Sequence, residues 1–279
     1  MFQYAKALDL SHQFYSVGLV EQTQSHSAQR PFYLEEFLDA SYSTIYKSQL
    51  SWSQNFRLQV ARKLQHFDPR AIRNLVRILG INLEDISNQN DIHPSFFKTV
   101  IFEGHWLDVK TVDRYQTFLI EKIQNVCKSK VSPTYETSNR HIKNVIHLRG
   151  TDFLLEKNQR SLGLLDKAYY TNALARYGVN TQKVIFCVVT DDKEYAERFF
   201  ASTSPSYILG PEDANEWESF YILINAEVLI IGNSTFAWWA GYICAQRGGK
   251  VVMPDTWNKV KTKNSLKLPK AILISGVWK

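Results

Sequence analysis

Residues 219–257 read SFYILINAEVLIIGNSTFAWWAGYICAQRGGKVVMPDTW. A helical pattern over 215–225 ends within this stretch, and a second helical pattern begins at Thr235. An apolar run lies between the two at 227–231, and another follows at 250–253. Continuous apolar strands that alternate with helices are typical of a parallel sheet with both faces covered. The stretch therefore predicts an α/β fold.

The same alternation extends back to residue 143. Residues 143–148 and 183–189 are predicted strands, and residues 166–177 and 193–200 are predicted helices. This repeated order assigns one parallel sheet to the second half of the chain.

The first half of the chain has a mostly helical pattern. An apolar stripe through Phe56 and Leu64 predicts one helix, and further helices are predicted over 68–80 and 109–126. The polar residues 129–141 show no periodicity and are predicted to form a linker.

Polar side chains follow three of the predicted strands. Parallel sheets bind ligands outside the carboxyl ends of their strands, so these residues are expected to open onto one crevice. They form the segments His147-Leu148-Arg149-Gly150-Thr151-Asp152, Thr190-Asp191-Asp192 and Gly232-Asn233-Ser234-Thr235. Their convergence predicts a binding site.

The turn at 232–235 lies between a predicted strand and an apolar helix. Its serine or threonine can cap that helix, and the free backbone N–H groups there attract an anion such as a diphosphate. The alternative is an ordinary capped helix, with Trp238 and Trp239 in the core.

Arg149 follows a buried strand, where a charge needs a partner. Its planar guanidinium suits two phosphate oxygens, and the alternative partner is the carboxylate of Asp152. His147 alternates with Arg149 along the strand, so its side chain either faces the same site or packs in the core.

Asp191 and Asp192 form an acidic pair that could bind a divalent metal. A carboxylate in this position more often caps the following helix, here residues 193–200. We therefore expect a helix cap and no metal.

The composition indicates a folded enzyme. Hydrophobic residues make up 44% of 279 residues, which is enough for a sizeable core. The three widely spaced cysteines predict neither disulfides nor a zinc site and favour a reducing compartment. No apolar run is long enough to span a bilayer and the N-terminus does not resemble a signal peptide, so we expect a cytoplasmic protein.

The formal net charge of +6 admits several partners. The basic residues are spread out and no nucleic-acid motif occurs, so nucleic acid is not expected, although a basic RNA-binding protein is one alternative. The densest basic cluster either faces solvent or contacts anionic lipid headgroups, as a peripheral protein at the inner face of the cell membrane would. It consists of Arg57, Arg62, Lys63, Arg70, Arg73 and Arg77.

Four motifs resemble glycosyltransferase family 11, the bacterial α-1,2-fucosyltransferases. VVTDD at 188–192 resembles the family's aspartate motif, and MFQYAKAL at the start resembles the tail of its glycine-rich opening. VIHLRGTDF at 145–153 resembles its histidine-x-arginine-arginine-x-aspartate motif, through His147, Arg149 and Asp152. In the stretch 219–257 the matching positions are Asn233, Ser234, Thr235, Phe236, Trp238, Trp239, Pro254 and Trp257.

The resemblance implies an α/β glycosyltransferase of the GT-B type with two Rossmann-like lobes. Residues 1–138 would form a helix-rich acceptor-side lobe and residues 139–279 the lobe that binds GDP-fucose. The implied reaction is an inverting, metal-independent transfer of L-fucose from GDP-fucose to the 2-hydroxyl of a galactoside. It needs no cofactor, and its acceptor would be a galactose-containing glycan, lipid-linked acceptors included, in the synthesis of an O-antigen-like surface polysaccharide.

The resemblance also implies site residues. Arg149, with N–H groups around Ser234, would stabilise the negative charge that grows on the β-phosphate, and Asp152 would either deprotonate the acceptor hydroxyl or orient Arg149. His147 is the third residue implied in catalysis. Glu218 or Glu216 would take the place of the family's acidic partner of guanine. The residues implied in donor binding are Arg149, Asp191, Asp192, Glu218, Asn233, Ser234, Thr235 and Phe236.

The sequence departs from the family pattern in two places. Gly150 stands where the motif has a second arginine, so phosphate neutralisation would depend on Arg149 and backbone N–H groups. The family's first strand and glycine-rich loop have no counterpart before Met1, so the N-terminal lobe is expected to lack its first strand. The alternative function is therefore that of a catalytically impaired relative that binds glycans or nucleotide sugars.

Overall fold

A computed structural model describes residues 1–11, 18–21, 37, 43–46, 51–64, 75, 78–83, 101–103, 107–177, 186–203, 205–259, 266–275 and 278. The chain divides into two compact units, Met1–Leu119 and Ile120–Lys279. No helix in these described ranges has both the length and the apolar character to cross a membrane.

The first unit combines helices with two short parallel strand pairs. Strand β1 pairs with β2, and β3 pairs with β4. The residue patterns predicted no strand here, although the resemblance implied a Rossmann-like first lobe. The described elements are α1 (Phe2–Ser11), β1 (Gly18–Glu21), β2 (Ser43–Tyr46), α2 (Trp52–Leu64), β3 (Ile81–Leu83), β4 (Ile101–Glu103), α3 (Val109–Arg114) and the start of α4 (Gln116–Lys130).

One of the predicted helices of this unit differs from its prediction. The helix predicted over 109–126 is divided at Tyr115, whose backbone leaves the helical region, into α3 and α4. Asp108 begins α3 by accepting hydrogen bonds from the backbone N–H groups of its first turn. Most of the helix predicted over 68–80 lies outside the described residues.

Helix α2 buries a different face from the one the apolar stripe predicted. Leu58 and Ala61 are buried, whereas Phe56 is exposed. Arg57 is also buried, and its Nη1 donates to the carbonyl of Leu79 at 2.9 Å. That bond and the packing of α2 on β3 set the rotation of the helix, because a buried guanidinium requires an acceptor.

The basic cluster is therefore not a uniformly solvated face. Burial lowers the pKa of Arg57. Lys63 is exposed. Arg70, Arg73 and Arg77 lie outside the described residues.

The second unit contains a six-stranded, all-parallel sheet with the order β10-β9-β8-β5-β6-β7. The sheet and its flanking helices are those of an α/β, GT-B-like fold, as the sequence predicted. The elements after α4 are α5 (Pro133–Asn139), β5 (Asn144–Leu148), α6 (Glu156–Ser161), α7 (Lys167–Arg176), β6 (Cys187–Thr190), α8 (Lys193–Phe200), β7 (Tyr207–Leu209), α9 (Glu216–Ile224), β8 (Val228–Ile231), α10 (Thr235–Gln246), β9 (Lys250–Pro254) and β10 (Ile272–Ile274).

The core of this unit lies on both faces of the sheet. Residues of β5, β6 and β8 are buried along nearly their whole length, as expected of central parallel strands. Trp238 in α10 is fully buried, stacks on Tyr242 at 5.2 Å, and donates its indole N–H to the carbonyl of Leu266 at 2.6 Å. Trp238 and Trp239 are therefore core residues.

The segment predicted to be a linker instead contains helix α5. Ser132 caps it by accepting from the N–H of Tyr135, and Pro133 occupies its first turn. Burial, followed by the neighbouring carboxylate of Glu136 on α5, raises the pKa of Tyr221 on α9 to about 12. Residues 120–138 thus pack with the second unit, and the division predicted after residue 138 falls inside it.

Candidate functional site

The three polar segments follow three neighbouring strands. Strand β5 lies between β6 and β8, with Leu148 opposite Thr190 and His147 opposite Ile231. Because all three strands are parallel, the residues after them emerge at one edge of the sheet. The predicted convergence of the three strand ends is confirmed.

Arg149 is held by two carboxylates. Its Nη2 lies 2.6 Å from Asp152 Oδ1, its Nε donates to the same oxygen at 3.0 Å, and its Nη1 lies 2.6 Å from Asp191 Oδ2. The bridge to Asp152 is the alternative partner that the sequence suggested, whereas the bridge to Asp191 was not anticipated. The guanidinium also lies over the ring of Phe153, 5.8 Å from its centre.

Asp191 joins the ends of β5 and β6. Its Oδ1 accepts from the backbone N–H of Gly150 at 2.7 Å, and its Oδ2 accepts from Thr151 Oγ1 at 2.6 Å. Thr151 has a φ of 34°, a left-handed conformation that is unfavourable for a β-branched residue. The carboxylate thus holds a strained turn in place next to Arg149.

Gly150 has no room for a side chain. A Cβ atom there would lie 2.6 Å from Asp192 Cβ and 3.2 Å from Tyr195 Cδ1. The local packing therefore favours glycine at position 150, where the family motif has its second arginine.

Asp192 caps helix α8, as predicted for one member of the acidic pair. Its carboxylate accepts from the N–H of Tyr195 at 2.9 Å, and its own N–H donates to Thr190 Oγ1 at 3.1 Å. Among the described residues, no group of three or more His, Cys, Asp and Glu side chains is arranged to hold a metal ion. Asp191 and Asp192 thus perform separate structural tasks.

His147 is buried beside the strand-end turn. Its ring lies 5.7 Å from that of Phe236, and within the described part of the chain its Nδ1 has no hydrogen-bond partner. Burial lowers the pKa of His147 to about 4, against an opposing effect of Asp191. The imidazole is therefore neutral at pH 7, and it is both a core residue and a neighbour of the site.

The turn at 232–235 is anchored by Asn233. Its Nδ2 donates to the carbonyl of Leu162 at 3.1 Å and lies 3.4 Å from that of Gly163. Ser234 is the N-cap of α10, but in the described structure its hydroxyl makes no capping bond, contrary to the expected serine or threonine cap. The N–H groups of the first turn thus lack the side-chain acceptor found at most other described helices. Thr235 is exposed and Phe236 is half-buried.

Glu218 lies in the first turn of α9 and takes part in a capping box. Its Oε2 accepts from the N–H of Asn215, whose side chain accepts from the N–H groups of Trp217 and Glu218. This is a structural task, distinct from the guanine contact that the resemblance implied. On the same helix, Phe220 packs edge-on against Phe236 at 5.3 Å, so α9 borders the strand-end turn.

Sequence reasoning did not identify two supports of the site. Tyr169 of α7 donates its hydroxyl to the carbonyl of Ile231, the last residue of β8, at 2.6 Å, and burial raises its pKa. Thr151 carries the positive φ described above. No periodicity marks either residue, because each role depends on a contact with a distant part of the chain or on backbone geometry.

Comparison with known proteins gives one family and two relatives. The family model described as Glycosyl transferase family 11 matches residues 32–274. An O-antigen biosynthesis glycosyltransferase, WbnK, of Escherichia coli is 27% identical over 125 residues, which are 43% of this chain and 41% of the relative. An alpha-1,2-colitosyltransferase of Escherichia coli is 24% identical over 127 residues, 43% of this chain and 42% of that protein. The alignments thus span about two fifths of each relative.

Proposed function

The chain belongs to glycosyltransferase family 11, and we propose that it transfers L-fucose from GDP-fucose to the 2-hydroxyl of a galactoside. The proposed acceptor is a galactose-containing glycan of an O-antigen-like surface polysaccharide. Two relatives, named for O-antigen synthesis and for an α-1,2-transfer, support the pathway and the linkage. Because one of them is named a colitosyltransferase, colitose is the competing donor sugar.

The observation that carries the proposal is the position of Arg149 at the end of the central strand β5, next to the end of β8 and the uncapped start of α10. Breaking the bond between a sugar and a nucleoside diphosphate leaves negative charge on the β-phosphate. A guanidinium and the N–H groups of a helix start are the donors that stabilise such charge. Both occur at neighbouring strand ends in this sheet.

Metal independence is part of the same proposal. Arg149 and the helix N–H groups would take the charge-stabilising role of a cation. Asp192, which could otherwise serve as a ligand, is occupied as the cap of α8.

Asp152 would orient Arg149 before the donor binds, which its two contacts with that guanidinium support. Deprotonation of the acceptor hydroxyl is its other candidate task. His147, neutral because it is buried, would line the site beside Phe236 without contributing charge.

The decisive assay supplies GDP-fucose, a colitose donor and UDP-sugars to the protein with galactosides, in the presence of EDTA. We expect transfer from GDP-fucose, with a new α-1,2 linkage in the isolated product. Transfer only from the colitose donor would replace the sugar in the proposal. Binding of donor without transfer would favour the impaired, sugar-binding relative, and activity restored by Mn²⁺ would contradict metal independence.

The nucleotide preference gives a separate prediction. GDP should raise the melting temperature of the protein more than UDP does, because GDP is the nucleotide of the proposed donor and should have the lower Kd. A ligand that binds only the native state stabilises it by RT ln(1 + [L]/Kd), about 2.7 kcal/mol at a hundredfold excess over Kd. Thermal shift measurements at matched nucleotide concentrations test this. Equal shifts would contradict the assignment of the donor.

We also propose that the first unit contacts an anionic membrane surface. Trp52 and Phe56 of α2 stack at 5.4 Å and are 80% and 54% exposed, and Leu75 and Ile78 are exposed as well. Residues 51–80 carry six basic side chains and one acidic one, and of the basic ones Arg57 is buried and does not contribute to this surface. Exposed aromatic residues within a basic segment have the chemistry that binds anionic lipid headgroups.

The double variant Trp52→Ala/Phe56→Ala should bind phosphatidylglycerol vesicles about tenfold or more weakly than the parent protein, since it loses two apolar side chains worth roughly 1.5–3 kcal/mol each when buried. Vesicle co-sedimentation measures this. Tyr207→Ala, which removes an exposed aromatic residue of the second unit, is the matched control and should bind normally. Equal binding of phosphatidylcholine vesicles by the parent protein would contradict an electrostatic contact.

A further inference from the structure

The two carboxylates that hold Arg149 are built into the fold in different ways. Asp191 follows β6, its side chain is 24% exposed, and both of its oxygens accept from protein donors: Oδ1 from Gly150, and Oδ2 from Arg149 and Thr151. An amide in its place would set an N–H₂ group against one of these donors. The geometry of the turn therefore depends on this carboxylate.

Asp152 is the solvent-facing partner. Its side chain is 44% exposed, against 14% for Arg149. Both contacts that Arg149 makes with it, from Nε and Nη2, converge on one oxygen, Oδ1. Thr151 Oγ1 lies 3.2 Å from the same oxygen, and an amide at residue 152 can keep a neutral oxygen that accepts these three contacts.

In the free protein, the net charge of Arg149 and its two carboxylate partners is unfavourable for binding a diphosphate. Arg149 (+1) with Asp152 and Asp191 (−2) has a formal charge of −1. One edge of a guanidinium binds one pair of oxygens, so a phosphate and Asp152 compete for the edge formed by Nε and Nη2. An anion from solvent reaches the edge held by the more exposed carboxylate.

On the basis of the proposed function, we propose that the diphosphate of the donor replaces Asp152 on the Nε–Nη2 edge of Arg149, while Asp191 keeps Nη1. Asp191 is then a positioning residue that fixes the guanidinium for the phosphate. Asp152 is a competitor that holds Arg149 in the free protein and is released when the donor binds.

The proposal is tested by calorimetric titration of the whole protein with inorganic pyrophosphate and with GDP. Asp152→Asn removes the competing charge and should bind both ligands about two- to fivefold more tightly, the effect of a partly exposed ion pair. Asp191→Asn loses charge-assisted hydrogen bonds and should bind both about tenfold or more weakly. A purely structural role of Asp152 would not tighten binding.

Other outcomes overturn the inference. If both variants bind pyrophosphate more tightly, the two carboxylates merely repel the ligand, and if both bind it more weakly, both are positioning residues. Absence of pyrophosphate binding by the parent protein also overturns it. Opposite shifts with pyrophosphate together with no preference for GDP over UDP would retain the inference while contradicting the proposed donor.

Thr151→Val provides a milder variant in case Asp191→Asn does not fold. It removes an exposed hydroxyl that lies 2.6 Å from Asp191 Oδ2 and 3.2 Å from Asp152 Oδ1, so the shorter contact that is lost is the one with Asp191. Circular dichroism should show a native fold, and pyrophosphate binding should weaken about two- to tenfold, the range for one hydrogen bond. Because the contact with Asp152 is lost as well, the comparison is repeated in the Asp152→Asn background, where unchanged or tighter binding on adding Thr151→Val would contradict a positioning role of Asp191.

Discussion

Replacing Arg149 with lysine should lower kcat about 10²–10³-fold, the loss typical when a donor to developing negative charge is removed. Lysine keeps the charge but supplies a single point of donation. A lysine ammonium cannot contact Asp191 and at the same time present two parallel N–H groups to a phosphate, as the planar guanidinium of Arg149 can. Steady-state rates with saturating GDP-fucose measure the effect, and thermal unfolding shows whether the fold is intact.

Arg198→Lys is the matched control for this variant. Arg198 is an exposed arginine of the same unit, and its guanidinium pairs with Glu194 one turn earlier on α8. Exposed pairs of this kind contribute little to stability, so this variant should keep normal activity. A near-normal rate for Arg149→Lys, with both variants folded, would show that Arg149 has only a structural role.

Gly150→Arg, which restores the second arginine of the family motif, should impair the protein instead of improving it. The added Cβ would lie 2.6 Å from Asp192 Cβ, so the end of β5 or the start of α8 must move. Overpacking of this kind costs about 1–3 kcal/mol. The displaced turn also carries Arg149, so we expect donor binding to fall together with the melting temperature.

Gly150→Ala separates the clash of the Cβ atom from the effect of an added charge, because both variants share the Cβ. The alanine variant should be destabilised to a similar degree. In an Asp192→Gly background, which removes the opposing Cβ, the cost of Gly150→Ala should fall, as a double-mutant cycle of unfolding free energies would show. A stable and more active Gly150→Arg protein would mean that the turn relaxes readily and that the motif alone governs the site.

The fold of the second unit could be predicted because its signals are local. The apolar runs that became β5, β8 and β9 lie between helical patterns, and strands of this kind form a parallel sheet. Once the sheet is parallel, the residues after its strands must emerge at one edge. That is why Arg149, Asp191 and Asn233 could be predicted to lie at a common edge of the sheet. The cap of α8 by Asp192 is local in the same sense.

The arrangement of side chains within the site depended on contacts between distant parts of the chain. The hydrogen bond from Gly150 to Asp191 joins residues 41 positions apart, and the one from Asn233 to Leu162 joins residues 71 apart. Sequence reasoning chose Asp152 as the alternative partner of Arg149 because it is a near neighbour in the chain. It did not anticipate Asp191, because a cross-strand contact leaves no periodic signal.

Local patterns in the sequence were thus enough to predict the α/β class, four of the six strands of the sheet (β5, β6, β8 and β9, but not β7 or β10) and the edge at which polar residues gather. Contacts in three dimensions were needed to show that α2 turns Phe56 outward and buries Arg57, that residues 129–141 contain a helix, and that Gly150 has no room for a side chain. The physical reason is the range of the forces involved. Periodicity and capping act within a few residues, whereas burial, ion pairing and steric exclusion depend on which distant segments meet.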